Sequence, residues 1–418
     1  MSERKRIYLC LAHMSEAGLE QKYIKEAFDT NWVVPLGPNV NGFEADLEAF
    51  CGQNKRVVAL SSGTAAVHLA LINCGVKAGD EVCVQSFTFC ASSHPITYLG
   101  ATPVFIDSEK DTWNMDPELL EKAIIDRKEK TGKYPKAIVP VALYGMPYQI
   151  DKIMAIADKY GIPVIEDAAE GFGSRYNGQV LGTFGKYGVL SFNGNKMITT
   201  SGGGALVTNN EDEWREVMMY ATQYRESYPY YQHEKIGFNY RMSNICAGIG
   251  RGQMTVANEH IAHHKHVQKM YEELLADVPG IHVHAQPTTG EYDSNYWLCT
   301  ITFDENVKIK GQENAYKTIV QGAVGGAAGV IHGADSATTD CQPNDNVEAL
   351  RVFMDQAGVE ARPLWKPMHK QPCYKDAPAY LNGVSEAMFK IGMCLPAGPY
   401  VKDDDVKYIV DCIKNAII

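Results

Sequence analysis

The chain has 418 residues, which is long enough to bury a large hydrophobic core and to form about two or three domains. Its net charge of -11 and the lack of any long basic run argue against a nucleic-acid-binding surface, and no stretch approaches the roughly 20 apolar residues of a membrane span. The scattered cysteines show no short paired spacing, which indicates reduced thiols, so we expect a cytoplasmic protein with no membrane partner.

Seven apolar runs rich in β-branched residues predict the strands of one sheet. They cover residues 57–60, 81–84, 102–107, 136–143, 162–167, 187–192 and 203–208. Helical periodicity over 64–74, 117–128 and 149–160 separates many of these runs. The pattern therefore predicts an α/β fold whose mostly parallel sheet has helices on both faces.

A longer helical pattern extends from about 244 to 275, and shorter predicted strands and helices follow it. We predict a large domain with the N-terminal segment over 1–279 and a smaller C-terminal α/β domain over 280–418. Residues 322–333 are rich in glycine and alanine, and a polar stretch follows to 345. No strand precedes these glycines and no helix-start sequence follows closely, so a surface loop or small insertion is favoured over a phosphate-binding loop.

Three chemical groups follow predicted strands of the large domain. The turn Ser61–Thr64 lies between a strand and a helix, where backbone N–H groups form a phosphate cup. Asp167 ends a buried strand, and Lys196 follows the strand 187–192. Alone, Asp167 would be interpreted as a helix cap and Lys196 as a solvated surface charge. Together they are the groups that pyridoxal 5'-phosphate needs: a phosphate cup, a carboxylate for the pyridine nitrogen and an amine for the aldehyde.

Further motifs occur in order along most of the chain. They are Pro35–Glu44, Leu60–Ala66, Ser86–Ser92, Glu166–Ala169, Ser191–Lys196, Gly237–Ser243 and Ala361–His369. On these motifs the chain resembles the DegT/DnrJ/EryC1/StrS family of sugar aminotransferases, which implies fold type I (aspartate aminotransferase-like) with a seven-stranded sheet. It is most similar to members that aminate C4 of UDP-2-acetamido-2,6-dideoxy-4-hexulose, which share Asn193–Lys196, Thr199–Gly204 and Arg362–Lys366.

The resemblance implies a role for each cofactor-binding residue. Lys196 forms the Schiff base with the cofactor, and Asp167 contacts its pyridine nitrogen. Phe89 stacks on the pyridine ring, although a core position is the commoner fate of phenylalanine. The phosphate ligands are Gly63, Thr64 and Ser191, each of which is otherwise a common turn or cap residue.

The resemblance also concerns Glu170 and Asn239. Glu170 lies where many relatives have glutamine or histidine near the ring oxygen, so the chain departs there from the commoner pattern, and the C4-aminating members are similar at this position. Asn239 matches a residue that reaches the phosphate of the neighbouring subunit, which implies a homodimer with shared active sites. The alternative for Asn239 is an ordinary turn.

The segment 362–369 combines charged and aromatic side chains with prolines. Arg362, Trp365 and His369 are candidates to line the sugar-nucleotide or glutamate pocket, because arginine suits carboxylate and phosphate groups and tryptophan suits a sugar face. The same segment could instead dock the small domain on the large one. His260, His263, His264 and His266 are interpreted as a solvated helix face rather than a metal site, so no metal is expected.

The resemblance implies a transaminase that takes an amine from L-glutamate and passes it to a nucleotide-linked keto sugar for surface or glycoprotein glycan synthesis. A pyridoxamine-dependent sugar dehydratase is an alternative, but that branch has histidine in place of the lysine. A non-catalytic scaffold or regulatory protein that retains the fold is the other alternative.

Overall fold

The computed structural model of the protein describes residues 5–52, 54–316 and 341–418. The strands in chain order are β1 (Arg56–Leu60), β2 (Glu81–Gln85), β3 (Thr102–Ile106), β4 (Ala137–Val139), β5 (Ile165–Asp167), β6 (Arg175–Tyr176), β7 (Gln179–Val180), β8 (Tyr187–Ser191), β9 (Gly204–Thr208), β10 (Ile281–Val283), β11 (Tyr292–Asp293), β12 (Cys299–Phe303), β13 (Arg362–Pro363), β14 (Ala379–Tyr380) and β15 (Gly392–Leu395).

The α-helices alternate with many of these strands. In chain order they are α1 (Leu19–Asp29), α2 (Pro38–Cys51), α3 (Gly63–Asn73), α4 (His94–Tyr98), α5 (Pro117–Thr131), α6 (Ile150–Tyr160), α7 (Glu211–Ala221), α8 (Asn244–Met254), α9 (Ala257–Leu275), α10 (Asp345–Gln356), α11 (Val384–Ile391) and α12 (Asp403–Ala416). The helical pattern predicted over 244–275 is thus two helices, separated at residues 255–256. Among the described residues, no helix combines the length and apolar character needed to cross a bilayer.

All seven predicted strands lie in one central sheet. The order β1-β9-β8-β5 continues into β4-β2-β3-β14, because Asp167 N–H donates to the Pro140 carbonyl at 2.9 Å and Ala142 N–H donates to the Asp167 carbonyl at 3.0 Å. Neighbouring strands are parallel except at β9, which is antiparallel to both β1 and β8. The edge strand β14 comes from the C-terminal part of the chain and has no counterpart in the sequence prediction.

The two faces of the central sheet are covered by separate apolar layers. Successive residues of β1 point to opposite faces, so Val57 belongs to one hydrophobic cluster and Val58 to the other. Leu47 of α2 packs in the first cluster and Leu69 of α3 in the second. The predicted arrangement of helices on both faces is therefore confirmed.

A second sheet, in the order β10-β12-β15-β13, has its own hydrophobic cluster. Helices α9, α10 and α12 contribute apolar residues to that cluster, and Ile7 near the N-terminus joins it through a bridge to Val359. The division at residues 279 and 280 stays a prediction, and β14 returns to the central sheet from beyond it. The predicted loop at 322–333 lies outside the described residues.

A buried ion pair holds the end of β1, just before the turn that leads into α3. The Arg241 guanidinium contacts the Glu44 carboxylate and donates to the Ala59 carbonyl at 3.0 Å, while Ala59 N–H donates to Glu44 at 2.8 Å. Both side chains are nearly enclosed, so the removal of one charge leaves the other without a partner in a site of low polarity.

We expect Arg241→Met to lower the free energy of unfolding by about 3 kcal/mol, because it leaves the Glu44 carboxylate buried and unpaired. Urea denaturation followed by circular dichroism measures this loss. Arg215→Met is the control, since Arg215 is mostly exposed and lies 3.9 Å from its acid partner, and it should change stability by less than about 0.5 kcal/mol. Equal effects of the two substitutions would contradict the assignment of a structural role to the buried pair.

Candidate active site

Lys196 lies in the turn between β8 and β9, and its side chain is only 12% exposed. The Nζ atom is 3.2 Å from Glu170 Oε1. On another side it lies over the indole ring of Trp297, 3.9 Å from the ring centroid. The interpretation of Lys196 as a solvated surface charge is therefore wrong, because its amine is held between a carboxylate and an aromatic face.

Glu170 is the buried partner of this amine. Its Oε2 accepts a hydrogen bond from the Tyr144 N–H at 2.7 Å. Burial raises the pKa of the Glu170 carboxyl group to about 7, although the positive charge of Lys196 and the Tyr144 N–H act in the opposite direction. Tyr144 has a left-handed backbone with φ of 54°, which is uncommon for a residue with a side chain. Near neutral pH this carboxyl group can therefore hold or release a proton beside the amine.

Asp167 ends β5 at the carboxyl edge of the parallel strands, as predicted. Its Oδ2 accepts from the Ser92 hydroxyl at 2.6 Å, and its Oδ1 accepts from the Ala169 N–H at 3.1 Å. Ser92 also shares a hydrogen bond of 2.8 Å with Thr88. Burial raises the pKa of Asp167, while Ser92, Ala169 and the charge of Lys196 lower it. The carboxylate is thus fixed in position and electrostatically coupled to the lysine.

The N-terminus of α3 lies against the ends of β8 and β9. Ser62 caps the helix by accepting from the Ala65 N–H at 3.0 Å, which leaves Gly63 and Thr64 in the first turn. A Cβ atom on Gly63 would lie 3.1 Å from Ser191 Cβ. The structure therefore brings the predicted phosphate ligands Gly63 and Ser191 together at a helix N-terminus, where an anion is stabilised.

Gly204, the first residue of β9, allows this close packing. A Cβ atom there would lie 2.4 Å from the Gly63 nitrogen and 2.4 Å from the Ser62 carbonyl carbon. Both contacts are with backbone atoms, which cannot rotate away as a flexible side chain can. The absence of a side chain at residue 204 therefore sets the position of the phosphate cup.

Trp297, which contacts the lysine, belongs to a group of four aromatic side chains that we call the aromatic wall. The Trp365 ring is 5.5 Å from Phe89, 5.3 Å from Tyr144 and 6.2 Å from Trp297. The backbone N–H of Trp365 also donates to the Tyr144 hydroxyl at 2.9 Å. Phe89 is 55% exposed, so it is not a core residue, and its ring is accessible for stacking.

Three remaining candidates have different surroundings. Asn239 is exposed and forms a backbone bridge with Thr222. The Arg362 guanidinium contacts Glu360 at 2.5 and 2.9 Å. The His369 ring lies 2.7 Å from the Ser86 hydroxyl at the end of β2.

The burial of two histidines of α9 corrects the sequence interpretation of this helix face. His260 and His264 are buried, because α9 packs against the lysine turn and the segment before β12. His260 Nδ1 lies 3.2 Å from the Met197 carbonyl, and His264 Nδ1 lies 3.1 Å from the Tyr296 carbonyl. A solvated face is therefore wrong for these two residues. Over the described ranges, no three or more His, Cys, Asp or Glu side chains are placed so that they could hold one metal ion together.

Sequence reasoning did not identify Trp297, Asn295, Tyr144, Ser92 or Gly204. Trp297 and Asn295 follow the short strand β11, outside the motifs of the large domain, and only tertiary packing brings Trp297 to Lys196 and Asn295 to the backbone of Glu170. Ser92 ends the motif Ser86–Ser92, and its position in that motif predicts no role for it. Gly204 ends the glycine run 202–204, and that run was the signal that could have predicted a close backbone approach.

The residues of this site fit pyridoxal 5'-phosphate. The first turn of α3 and Ser191 offer donors to a phosphate group, and Asp167 offers a fixed carboxylate to a pyridine nitrogen. Phe89 presents an accessible ring, and Lys196 presents a confined amine. A cradle for phosphate, a carboxylate for a ring nitrogen and an amine for an aldehyde thus occur in one site.

Comparisons with known proteins identify the family of the chain. The family model of the DegT/DnrJ/EryC1/StrS aminotransferase family matches residues 15–328 and 313–414. EpsN of Bacillus subtilis, whose assignment as a pyridoxal phosphate-dependent aminotransferase is itself provisional, is 42% identical over 413 residues, which cover 98% of this chain and 95% of EpsN.

A second relative and a crystal structure extend the comparison. GDP-perosamine synthase of Escherichia coli O157:H7 is 31% identical over 410 residues, 98% of each chain. The crystal structure of a DegT/DnrJ/EryC1/StrS aminotransferase from Brucella abortus superposes with a TM-score of 0.81 at 26% identity, and the match covers 96% of this chain and 95% of the other. The fold-type prediction is thus confirmed.

We expect Gly204→Ala to weaken pyridoxal phosphate binding by about tenfold or more, because the new methyl group would displace the first turn of α3. Fluorescence titration of the cofactor-free protein measures the dissociation constant. Gly202→Ala is the matched control, since a Cβ atom there meets nothing within 4 Å. Unchanged affinity in a folded Gly204→Ala variant would contradict the position assigned to the phosphate cup.

The pKa of Glu170 predicts a pH-dependent stability. Because its folded value of about 7 lies above the ordinary value of 4.5, the carboxyl group stabilises the fold most at low pH, and this contribution is lost as the pH rises through about 7. Relative to the wild type, cofactor-free Glu170→Gln should therefore gain about 2 to 3 kcal/mol between pH 5 and pH 8.

Urea denaturation of both proteins across this pH range measures the difference. Glu305→Gln serves as the control, since Glu305 is exposed. A difference between Glu170→Gln and the wild type that does not change with pH would show that the buried carboxyl group titrates normally.

Proposed function

The chain belongs to the DegT/DnrJ/EryC1/StrS family of pyridoxal phosphate-dependent sugar aminotransferases, and we propose that it transfers an amine from L-glutamate to C4 of UDP-2-acetamido-2,6-dideoxy-4-hexulose for surface or glycoprotein glycan synthesis. The main support is the confinement of the Lys196 amine between Glu170 and Trp297. This amine is electrostatically coupled to Asp167, the carboxylate at the end of β5.

Pyridoxal phosphate, when bound, supplies an aldehyde and an electron-withdrawing ring that stabilises negative charge on the carbon next to the transferred nitrogen. Lys196 Nζ is the proton acceptor and donor at that carbon in both half-reactions. Asp167 holds positive charge at the ring nitrogen, and Ser92 orients its carboxylate. Glu170 keeps a titratable proton 3.2 Å from Nζ.

A basic cavity supports an anionic amino acceptor. The cavity has a volume of about 600 Å³ and is lined by Lys366, His369, Lys370 and Lys375. Lys370 is paired with Glu386 at 3.1 Å. Lys366 directly follows Trp365, whose ring lies 5.5 Å from Phe89. Lysine side chains in this cavity, one of them next to Trp365 in the sequence, suit the diphosphate of a nucleotide sugar in a chain whose net charge is -11.

The relatives do not specify the nucleotide. The name of the Escherichia coli relative gives a GDP-linked product, whereas the motifs Asn193–Lys196 and Arg362–Lys366 favour the UDP-linked acceptor. We therefore propose the UDP sugar and treat the GDP sugar as the competing acceptor.

A homodimer is the assembly that we propose. Large apolar side chains are exposed in two segments, namely Trp32, Val33, Val34 and Leu36 in the first and Tyr230, Tyr231 and Ile236 in the second. Asn244 joins its own segment to the first of them, because its N–H donates to the Val34 carbonyl at 2.9 Å. The second segment directly precedes Asn239 in the sequence, and exposed apolar side chains of this kind suit burial against a second copy of the chain. This arrangement would bring Asn239 to the phosphate in the other subunit.

Separate half-reactions test the proposed activity. We expect L-glutamate to remove the visible absorbance band of the cofactor-loaded enzyme, and the UDP-4-keto sugar to restore it faster than GDP-4-keto or UDP-3-keto sugars. No change with glutamate would contradict the amino donor. Faster recovery with another sugar would contradict the acceptor but leave the donor half-reaction intact.

We expect Lys196→Ala to lower turnover by at least about a thousandfold, because it removes the proton-transferring amine. Multiple-turnover assays that measure 2-oxoglutarate release check this loss. Lys186→Ala is the control, since Lys186 lies just before β8 on the same strand–turn unit and outside the site, and it should keep turnover within about twofold. Rapid turnover by Lys196→Ala would contradict the assignment.

A further inference from the structure

Trp297 contacts both the backbone just before Lys196 and the Lys196 amine. Its indole N–H donates to the Asn195 carbonyl at 2.7 Å, and that carbonyl belongs to the peptide bond immediately before Lys196. Its ring face lies 3.9 Å from Lys196 Nζ. One buried side chain therefore holds both the backbone and the amine of the same lysine.

Other residues also restrain this turn. Asn193 and Asn195 are exposed, but Glu170 contacts the Lys196 amine at 3.2 Å and His260 lies 3.2 Å from the Met197 carbonyl. A lysine side chain has four flexible carbon atoms, so an unrestrained amine samples many positions. Trp297 differs from Glu170 and His260 because it contacts both the Lys196 amine and the backbone carbonyl just before Lys196.

Trp297 is itself held rigidly. Its backbone N–H donates to Asn295 Oδ1 at 2.8 Å. The Nδ2 of Asn295, a fully buried residue, donates to the carbonyl groups of Glu170 at 2.8 Å and Phe172 at 2.9 Å. Asn295 therefore fixes the backbone of Trp297 and of Glu170, which are the two residues that contact the Lys196 amine.

We propose that Trp297 is a positioning residue that sets Lys196 for its reaction with the cofactor aldehyde. In that reaction the Nζ nitrogen adds to the aldehyde carbon, a carbon–nitrogen double bond forms and one water molecule leaves, without oxidation or reduction. The indole N–H fixes the turn, and the ring face fixes the amine while it shields one side from water. The inference concerns cofactor capture and goes beyond the choice of donor and acceptor.

Two substitutions separate the two contacts. Trp297→Phe keeps an aromatic face but loses the N–H donor, and we expect it to slow capture of pyridoxal phosphate by the cofactor-free protein about fivefold. Trp297→Leu loses both contacts and should slow capture about fiftyfold. Stopped-flow absorbance of the bound cofactor measures the rates.

Trp214→Phe is the matched control. The Trp214 indole N–H also donates to a backbone carbonyl, that of Val57 in β1, at 3.1 Å, and the Arg56 guanidinium lies over its ring. The Trp214→Phe variant should keep the capture rate within about twofold of the wild-type rate, even though it loses a comparable hydrogen bond. Circular dichroism and thermal unfolding show whether each variant is folded.

The dependence of the capture rate on cofactor concentration distinguishes positioning from a general loss of stability. Trp297→Leu should lower the maximum rate, while the cofactor concentration that gives half of that rate stays within about twofold of the wild-type value. A site that is loosened as a whole would raise that concentration as well. A wild-type maximum rate in folded Trp297→Leu would overturn the proposal, as would slowing of Trp214→Phe to the level of Trp297→Phe.

Discussion

The buried contact between the Lys196 amine and the Glu170 carboxyl group is the constraint on which the site depends. Two ionisable groups are removed from bulk water there, so each needs partners with defined geometry. Glu170 has the Tyr144 N–H, whose backbone adopts a left-handed conformation. Lys196 has the indole of Trp297. The left-handed backbone of Tyr144 and the indole of Trp297 thus hold a buried pair of ionisable groups from two sides.

The carboxyl edge of the central sheet determines where these groups meet. β5 ends in Asp167, β8 leads to the lysine turn, and the turn after β1 starts α3. The reversed strand β9 brings Gly204 back beneath the phosphate cup. The small separation between Gly204 and Gly63 allows the helix N-terminus to approach the sheet closely, so backbone packing rather than side-chain chemistry positions the anion site.

Local sequence patterns predicted the strands and several site residues. Long apolar runs indicate buried strands. Asp167 ends one such run and Gly63 lies in the turn after another, so the sheet edge that they share follows from topology. The resemblance added roles that spacing alone does not give, such as that of Phe89. The structure shows that Phe89 is exposed, but its contact with the cofactor stays a prediction.

Other features depend on contacts between distant parts of the chain and leave little local signal. Trp297 reaches Asn195 from a segment about a hundred residues away. His264 is buried because the segment before β12 covers α9, whereas the local pattern of histidines resembles a solvated face. Glu170 gains its raised pKa from tertiary burial, which a sequence position does not reveal.

The edge strand β14 has a consequence for biosynthesis. It pairs with β3 through Ala379 and Phe105, although a ribosome makes these residues far apart in time. Until the C-terminal part emerges, one side of β3 has unpaired backbone groups, which can pair with strands of other nascent chains. The edge of the central sheet is thus completed only when nearly the whole polypeptide has been made. Truncated products would leave one edge of β3 unpaired even where their active-site residues are all present.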